Sequence, residues 1–199
     1  MKRIVLALLL LFAVPNTVLA MPEISKPAPA FSGQDINGKT ISLSDFKGKT
    51  VVLEWTNPDC PFVKKFYSVG KMQELQKAAI ADGIVWISIN SGAEGKQGHM
   101  TQDAAKKVTA EQNWSGSAYI LDAKGEIGKA YSAKTTPHMY VIDKDGVLVY
   151  AGAIDDKEST KSADIATSKN YVTAALADIK AGKAVEVSSS RAYGCSVKY

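Results

Sequence analysis

Two cysteines are the only thiols in this 199-residue chain: Cys60, in the stretch WTNPDCPFVKKFY, and Cys195, in the closing YGCSVKY. A cysteine thiolate attacks disulfides and peroxides, and two thiols in one chain can also bond to each other. Pro61 follows Cys60, and proline is favoured in the first turn of a helix. Because the unpaired N–H groups at a helix N-terminus stabilise a thiolate, this position favours a reactive Cys60.

Charged neighbours act on Cys60 in opposite directions. Lys64 and Lys65, one turn along the predicted helix, would stabilise a thiolate, whereas Asp59 would destabilise it. The alternative to reactivity is a structural bond between Cys60 and Cys195. Closing a loop of over 100 residues stabilises a fold by roughly 4 to 5 kcal/mol in the chain-entropy model, so the sequence leaves both interpretations open.

Histidine is the other side chain that could take part in thiol chemistry. His138 follows Pro137 and would either move a proton near a thiol or pack within a strand; His99 lies in a glycine-rich loop. The two histidines and two cysteines match no short spacing typical of zinc ligands. We therefore expect no metal and no cofactor.

The first 20 residues, MKRIVLALLLLFAVPNTVLA, combine a basic start, an apolar run and small residues before a cleavage position after Ala20. This pattern predicts a signal peptide over 1–20. We expect an exported protein, in the bacterial periplasm or otherwise secreted, with no integral membrane segment once the signal is removed. Such an oxidising compartment would allow the two thiols to pair.

The mature chain, 21–199, mixes lysines and acids, and removal of Lys2 and Arg3 lowers the net charge from +4 to about +2. No basic stripe indicates nucleic-acid binding. The length suits one domain, and no linker-like stretch divides it. Residues 183–199 contain three consecutive serines and Gly194, so we expect a flexible C-terminal tail that carries Cys195.

Apolar periodicity predicts alternating strands and helices. Continuous apolar runs in TVVLEWTN and IVWISIN are typical of strands buried on both faces, and helical spacing begins at Pro61. Asn37-Gly38 predicts an early hairpin, and Asp145-Gly146 predicts the turn of a later one. Strand and helix alternation followed by a hairpin predicts an α/β fold with a mixed sheet.

The Cys60-Pro61 pair at a strand-to-helix turn and the Thr136-Pro137 pair in TTPHMYVID resemble the motifs of thioredoxin-like proteins. With the opening KPAPAFSGQDINGKTISLSDFKGKTVVLEW, they resemble more narrowly the redoxin branch, which includes alkyl hydroperoxide reductase and thiol-specific antioxidant proteins. The resemblance spans roughly 27–182. It implies a three-layer fold in which helices cover both faces of a central mixed sheet, with an N-terminal hairpin extension.

Several positions depart from the family motifs. Val63 stands where thioredoxin has its second active-site cysteine, so a local dithiol cannot form. Leu53 and Asn57 stand where peroxiredoxins carry a proline and a threonine, and Arg191, in the tail, is the only arginine of the mature chain. The chain therefore resembles a redoxin with a single cysteine in the active-site motif, and its peroxide-binding positions are not reproduced.

The resemblance implies an enzyme, an exported thiol-disulfide oxidoreductase. Cys60 would attack an oxidised substrate as a thiolate, and Cys195 would resolve the product as an intramolecular disulfide. The loop of thioredoxin-like proteins that packs against the active-site cysteine carries a cis-proline, so we expect the Thr136-Pro137 bond to be cis. The backbone of Thr136 would then be free to pair with an extended substrate.

Further candidates lie near these motifs: Trp55 and Asn57, with Thr136 and Pro137, for substrate binding, and Pro61, His138 and Arg191 for auxiliary roles. The expected partner is a protein disulfide or dithiol, or a peroxide. Two alternatives remain. One is a peroxiredoxin-like antioxidant thiol peroxidase that uses the same cysteines. The other is a non-enzymatic exported domain with a structural Cys60–Cys195 disulfide.

Overall fold

A five-stranded mixed sheet lies at the centre of the computed structural model, which describes residues 22–199. The strands are β1 Ser32–Gln34, β2 Thr40–Ser42, β3 Val51–Trp55, β4 Val85–Asn90, β5 Ala118–Leu121, β6 Thr135–Thr136, β7 His138–Ile142, β8 Leu148–Gly152 and β9 Cys195–Ser196. The central sheet has the order β5-β4-β3-β7-β8. Strands β3, β4 and β5 are parallel, whereas β7 is antiparallel to both β3 and β8. The predicted signal peptide, 1–20, lies outside the described residues.

Helices cover both faces of this sheet, which confirms the predicted three-layer α/β architecture. The helices are α1 Pro61–Tyr67, α2 Lys71–Ala81, α3 Gln102–Glu111, α4 Glu126–Ala130 and α5 Tyr171–Lys180, with short 3-10 segments at Leu43–Phe46 and Ser162–Thr167. Helices α1, α2 and α5 contribute to the core on one face, and α4 contributes to the core on the other.

The side chains of β3 divide the core into two clusters because alternate residues of a strand point to opposite faces. Val51, Leu53 and Trp55 belong to one cluster, and Val52 belongs to the other together with Cys60. We call these sides of the sheet the Trp55 face and the Cys60 face. All five β3 residues are buried, as expected for a strand that lies between two layers.

The predicted N-terminal hairpin is confirmed by the antiparallel pairing of β1 and β2. Its turn contains Gly38 at a φ of +80°, a backbone region that side chains other than glycine rarely adopt. The Asp35 side chain accepts hydrogen bonds from the backbone N–H groups of Asn37 and Lys39, at 2.9 and 2.8 Å. The turn is therefore fixed by local sequence.

The apolar spacing after Cys60 predicts one continuous helix from Pro61 to a stop at Asp82, and the structure corrects this prediction. Two helices are present, α1 and α2, and they are separated at Gly70, which has a φ of +77°. A positive φ interrupts a right-handed helix. As a result, α1 is only seven residues long and the chain redirects before α2 begins.

The expectation of a flexible tail over 183–199 differs from what the structure shows. The tail is hydrogen-bonded along much of its length: Ser188 and Ser190 bond to the backbone of Ala151, and Val197 donates to the carbonyl of Lys134. The serines that suggested flexibility instead supply backbone pairing. The tail therefore lies against the body of the fold and is part of it.

Within residues 22–199, no helix is long and apolar enough to cross a membrane. The same described residues contain no group of three or more His, Cys, Asp or Glu side chains arranged to hold a metal ion.

Candidate functional site

Cys60 lies at the point where β3 ends and α1 begins, as the sequence predicts. It is the N-cap of α1, and its carbonyl accepts the N–H groups of Val63 and Lys64 at 3.0 and 2.9 Å. Pro61 takes the first helical position, where the missing N–H removes no helical hydrogen bond. The Cys60 side chain is fully buried.

The loop at Pro137 lies directly against Cys60, and the Thr136–Pro137 peptide bond is cis, which confirms the prediction. The Cys60 Sγ donates a hydrogen bond to the Thr136 carbonyl oxygen at 3.0 Å. The Thr136 hydroxyl is buried and has no hydrogen-bond partner among the described residues. The Thr136 carbonyl therefore contacts the Cys60 thiol directly, and the Thr136 side chain is among the groups that lower the pKa of Cys60.

Cys195 lies beside Cys60, where the tail crosses this loop. Strand β9 pairs antiparallel with β6, and Cys195 is directly opposite Thr136 in that register. The Cys195 side chain packs against the apolar cluster that contains Cys60, and both cysteines are free thiols. The sequence predicts that Cys195 must travel to reach Cys60, whereas the structure already places the two thiols together.

The two thiols have unequal pKa values. Burial opposes ionisation of Cys60, but the Cys195 thiol, the Thr136 side chain and the backbone N–H groups of Cys195 and Val63 stabilise its thiolate and lower the pKa of Cys60 overall. Burial, followed by the hydrogen bond and the charge of Cys60, raises the pKa of Cys195 to about 11. Cys60 is therefore the thiol that ionises first.

Two predicted site residues lie on the Trp55 face and do not contact the thiols. Trp55, a candidate for substrate binding, is fully buried, and its indole N–H donates to the Ser91 hydroxyl at 3.0 Å. His138 lies opposite Trp55 on β7, and its Nδ1 accepts the N–H of Lys134. Burial, together with the charge of Lys134, lowers the pKa of His138 to about 4. Strand alternation places both residues away from Cys60, so their predicted site roles are corrected.

Asn57 and Arg191 also have other roles than the predicted ones. The Asn57 side-chain oxygen accepts the N–H of Asp59 at 2.9 Å, so it shapes the turn before Cys60. Arg191 is exposed and pairs with Glu158 at 3.2 Å. A peroxide-binding arginine at Cys60 is therefore not formed, because the Arg191 side chain points to solvent.

The structure adds a buried acid, Glu54, that the sequence did not single out as part of the site. Glu54, on β3, accepts hydrogen bonds from the side chains of Tyr67, Gln76, Trp86 and Ser88. Burial raises the pKa of Glu54 despite these four donors. An acid inside an otherwise apolar strand is the one signal that could have identified it.

Lys65, on α1, is a second buried polar residue near Cys60. Its Nζ lies 3.0 Å from Asp155 Oδ2, and both side chains are fully buried. The hydroxyl of Tyr193, two residues before Cys195, donates to the same carboxylate. This cluster connects the helix that begins at Cys60 to the tail that carries Cys195.

A buried thiol at a strand-to-helix turn, a cis-proline loop against it and a mixed sheet with helices on both faces define a thioredoxin-like protein. The chain belongs to the AhpC/TSA family, whose model matches residues 24–151. That match confirms the redoxin resemblance. It ends before the tail, so Cys195 and Tyr193 lie outside the matched region.

Individual proteins agree with this assignment. The chain is 32% identical over 127 residues to the thiol-disulfide oxidoreductase ResA of Bacillus thuringiensis subsp. konkukian, covering 64% of this chain and 68% of ResA. It is 27% identical over 143 residues to the methylamine utilization protein MauD of Methylobacillus flagellatus, covering 71% of this chain but only 62% of MauD.

A solved structure resembles almost the whole chain. An uncharacterized conserved protein from Geobacillus kaustophilus superposes with a TM-score of 0.76 at 27% identity and covers 90% of this chain and 93% of its own. The similarity therefore extends well beyond the region that the family model matches.

Proposed function

We propose that this protein is an exported thiol-disulfide oxidoreductase in which Cys60 is the nucleophile and Cys195 is the resolving thiol. The observation that carries the proposal is the position of the second free thiol: Cys195 is paired opposite Thr136, whose carbonyl accepts the Cys60 thiol, and it packs against the cluster that contains Cys60. A lowered pKa supplies thiolate at Cys60 for attack, and a raised pKa keeps Cys195 protonated until it is needed. The name of the relative ResA is consistent with this activity.

The reaction would proceed in two exchanges. The Cys60 thiolate attacks one sulfur of a substrate disulfide, which forms a mixed disulfide and releases the other substrate sulfur as a thiolate. Cys195 then loses its proton and attacks the Cys60 sulfur, which releases the second substrate thiolate and leaves a Cys60–Cys195 bond. The substrate disulfide gains two electrons, and the protein dithiol loses them.

The expected substrate is a protein disulfide that presents an extended segment. The backbone of Thr135 and Thr136 pairs with β9 in the structure, so the same edge can pair with another extended chain that takes the place of β9. The signal-like pattern over 1–20 supports export to an oxidising compartment, where such disulfides occur.

The peroxidase alternative has less support from the site. Arg191 points to solvent, and the Asn57 amide bonds the Asp59 N–H through its oxygen and the Gln97 carbonyl through its nitrogen, so both side chains are engaged with partners other than a ligand at Cys60. The structural-staple alternative predicts a bond that reductants reach only after unfolding.

The test uses the mature protein with a disulfide-linked fluorescent peptide. We expect Cys195→Ser to trap a one-to-one mixed disulfide at Cys60, and we expect Cys60→Ser to trap none. Equal peptide release by wild type and Cys60→Ser would remove the proposal. A parallel assay with hydrogen peroxide separates the alternatives, since consumption that depends on Cys60 and is faster than peptide exchange would favour the peroxidase.

A further inference from the structure

A buried ion pair joins α1, the helix that begins at Cys60, to the segment that follows β8. Lys65 and Asp155 have fully buried side chains, with Nζ and Oδ2 3.0 Å apart. Lys65 also donates to the Lys157 carbonyl at 2.9 Å, and the N–H of Lys157 donates to Asp155 Oδ1 at 3.0 Å. A buried pair is costly unless such hydrogen bonds satisfy it, so these partners fix the geometry of the pair.

The tail contributes one side chain to this pair, Tyr193. Its hydroxyl donates to Asp155 Oδ1 and lies 3.5 Å from Lys65 Nζ. Its ring packs edge-on against Phe62 of α1, with 5.8 Å between ring centroids. Because the hydroxyl is joined to a buried carboxylate, this contact is of the charge-assisted kind that is stronger than a neutral hydrogen bond.

Only Gly194 separates Tyr193 from Cys195. Gly194 has a φ of +135°, and a side chain there would collide with the Thr136 carbonyl oxygen. The backbone between Tyr193 and Cys195 is therefore short and in close contact with the loop at Pro137. A shift of Tyr193 out of its position would carry Cys195 away from Cys60.

Two other side-chain contacts of the tail, at Arg191 and Tyr199, are weaker or more distant from α1. The ion pair between Arg191 and Glu158 is exposed on both sides, and exposed pairs contribute little. Tyr199 donates its hydroxyl to the carbonyl of Ala133 at 2.7 Å, but this contact is neutral and Tyr199 is 40% exposed. Tyr193 alone among these three reaches the helix that begins at Cys60.

We propose that Tyr193 is a positioning residue: by docking its hydroxyl into the buried Lys65–Asp155 pair, it holds the tail so that Cys195 covers and faces Cys60. When Tyr193 undocks, Cys60 and the edge of β6 become accessible to a substrate. When it docks again, Cys195 returns to resolve the mixed disulfide. The inference rests on the proposed function, because it gives Cys195 its place in the second exchange.

The test compares two substitutions that remove only a hydroxyl, Tyr193→Phe and Tyr199→Phe, in the full mature chain. The first measurement is the alkylation rate of reduced Cys60 by iodoacetamide across a range of pH, followed by mass spectrometry of the Cys60 peptide. Tyr193→Phe is expected to raise the rate roughly 10- to 100-fold, the range for loss of a hydrogen bond to a charged group. Tyr199→Phe is expected to raise it less than about threefold, since its hydrogen bond is neutral and partly exposed.

The second measurement is the resolution rate of a mixed disulfide made with glutathione disulfide, in which Cys195 attacks the Cys60 sulfur and releases glutathione. Tyr193→Phe is expected to slow this step by a factor comparable to the gain in alkylation. A variant that was simply less stable would not show faster alkylation together with slower resolution at equal folded fraction. Any other pattern, including equal effects of the two substitutions, overturns the proposal.

The same experiment separates failure of this inference from failure of the proposed function. If wild-type protein never resolves the glutathione mixed disulfide, Cys195 is not a resolving thiol, and both ideas fall. If wild type resolves it and Tyr193→Phe resolves it equally fast, only the role of Tyr193 is wrong.

Discussion

The two faces of the central sheet bury different kinds of side chain. The Cys60 face encloses a carboxylic acid at Glu54, the Lys65–Asp155 pair and a thiol, and each has hydrogen-bond partners. The Trp55 face is built mainly from aromatic and aliphatic groups, the hydroxyls of its tyrosines donate to backbone carbonyls, and its buried polar side chains include His138 and Ser91. Reactivity is therefore expected to depend on one face and stability on both.

The largest effect is expected from breaking the buried pair on the Cys60 face. Lys65→Met leaves the Asp155 carboxylate buried without its cation, which should lower the free energy of unfolding by about 3 to 5 kcal/mol. Guanidinium denaturation measures this loss. Lys64→Met is the matched control, because Lys64 is adjacent and exposed and its loss should change the free energy by less than about 0.5 kcal/mol. Equal losses for the two variants would refute a special role for the buried pair.

A pH effect on stability is expected from the Trp55 face. Native His138 has its pKa lowered from 6.5 to about 4 by burial and by Lys134, so between these values the unfolded state binds more protons than the folded state. Stability is full above pH 6.5 and falls as pH drops toward 4, by about 3 kcal/mol for this one group.

The measurement is the free energy of unfolding at pH 7 and pH 4 for wild type and for His138→Gln. Carboxylates titrate in both proteins, so the difference between the two pH dependences isolates His138. Equal pH dependences would show that the native pKa of His138 is not lowered, so that His138 is protonated at pH 4 in the native protein as it is in the unfolded one.

The smallest and most specific effect concerns the thiol itself. The pH midpoint for alkylation of Cys60 should lie below that of a free cysteine, about 8.5, and Cys195→Ala should raise it because a hydrogen bond to the thiolate is lost. Trp55→Phe, on the other face, should lower stability and leave the midpoint unchanged. If the alkylation midpoint shifts in Trp55→Phe but not in Cys195→Ala, the reactivity of Cys60 depends on the Trp55 face and not on the Cys60 face, contrary to the expectation.

Local signals in the sequence predict much of the fold and half of the site. The buried strand before Cys60, the proline after it and the Asn37-Gly38 turn each depend on neighbouring residues, and the structure confirms them. The break between α1 and α2 is also local, because Gly70 marks it, but apolar spacing continues across that glycine and conceals it.

Long-range contacts are what the sequence could not provide. Tyr193 contacts Asp155 and Lys65, which are 38 and 128 positions away along the chain. Sequence periodicity predicts local elements and gives no information on such contacts. The serines near residue 190 suggested mobility, yet Ser190 accepts the N–H of Ala153 at 2.9 Å. Trp55 and His138 were assigned to the site from proximity in sequence, whereas strand alternation turns them away from Cys60.

The hydrogen bond from the Cys60 thiol to the Thr136 carbonyl joins the N-terminus of α1 to the loop at Pro137 through a single proton. When that proton leaves, a negatively charged sulfur and a carbonyl oxygen face each other at 3.0 Å with nothing between them, and they repel. The unpartnered hydroxyl of Thr136 can then turn its hydrogen toward the sulfur. Ionisation of Cys60 therefore weakens its contact with the Thr136 carbonyl while the thiol and N–H of Cys195 hold the thiolate more tightly, so the event that activates the nucleophile also moves its bonding from the loop toward β9.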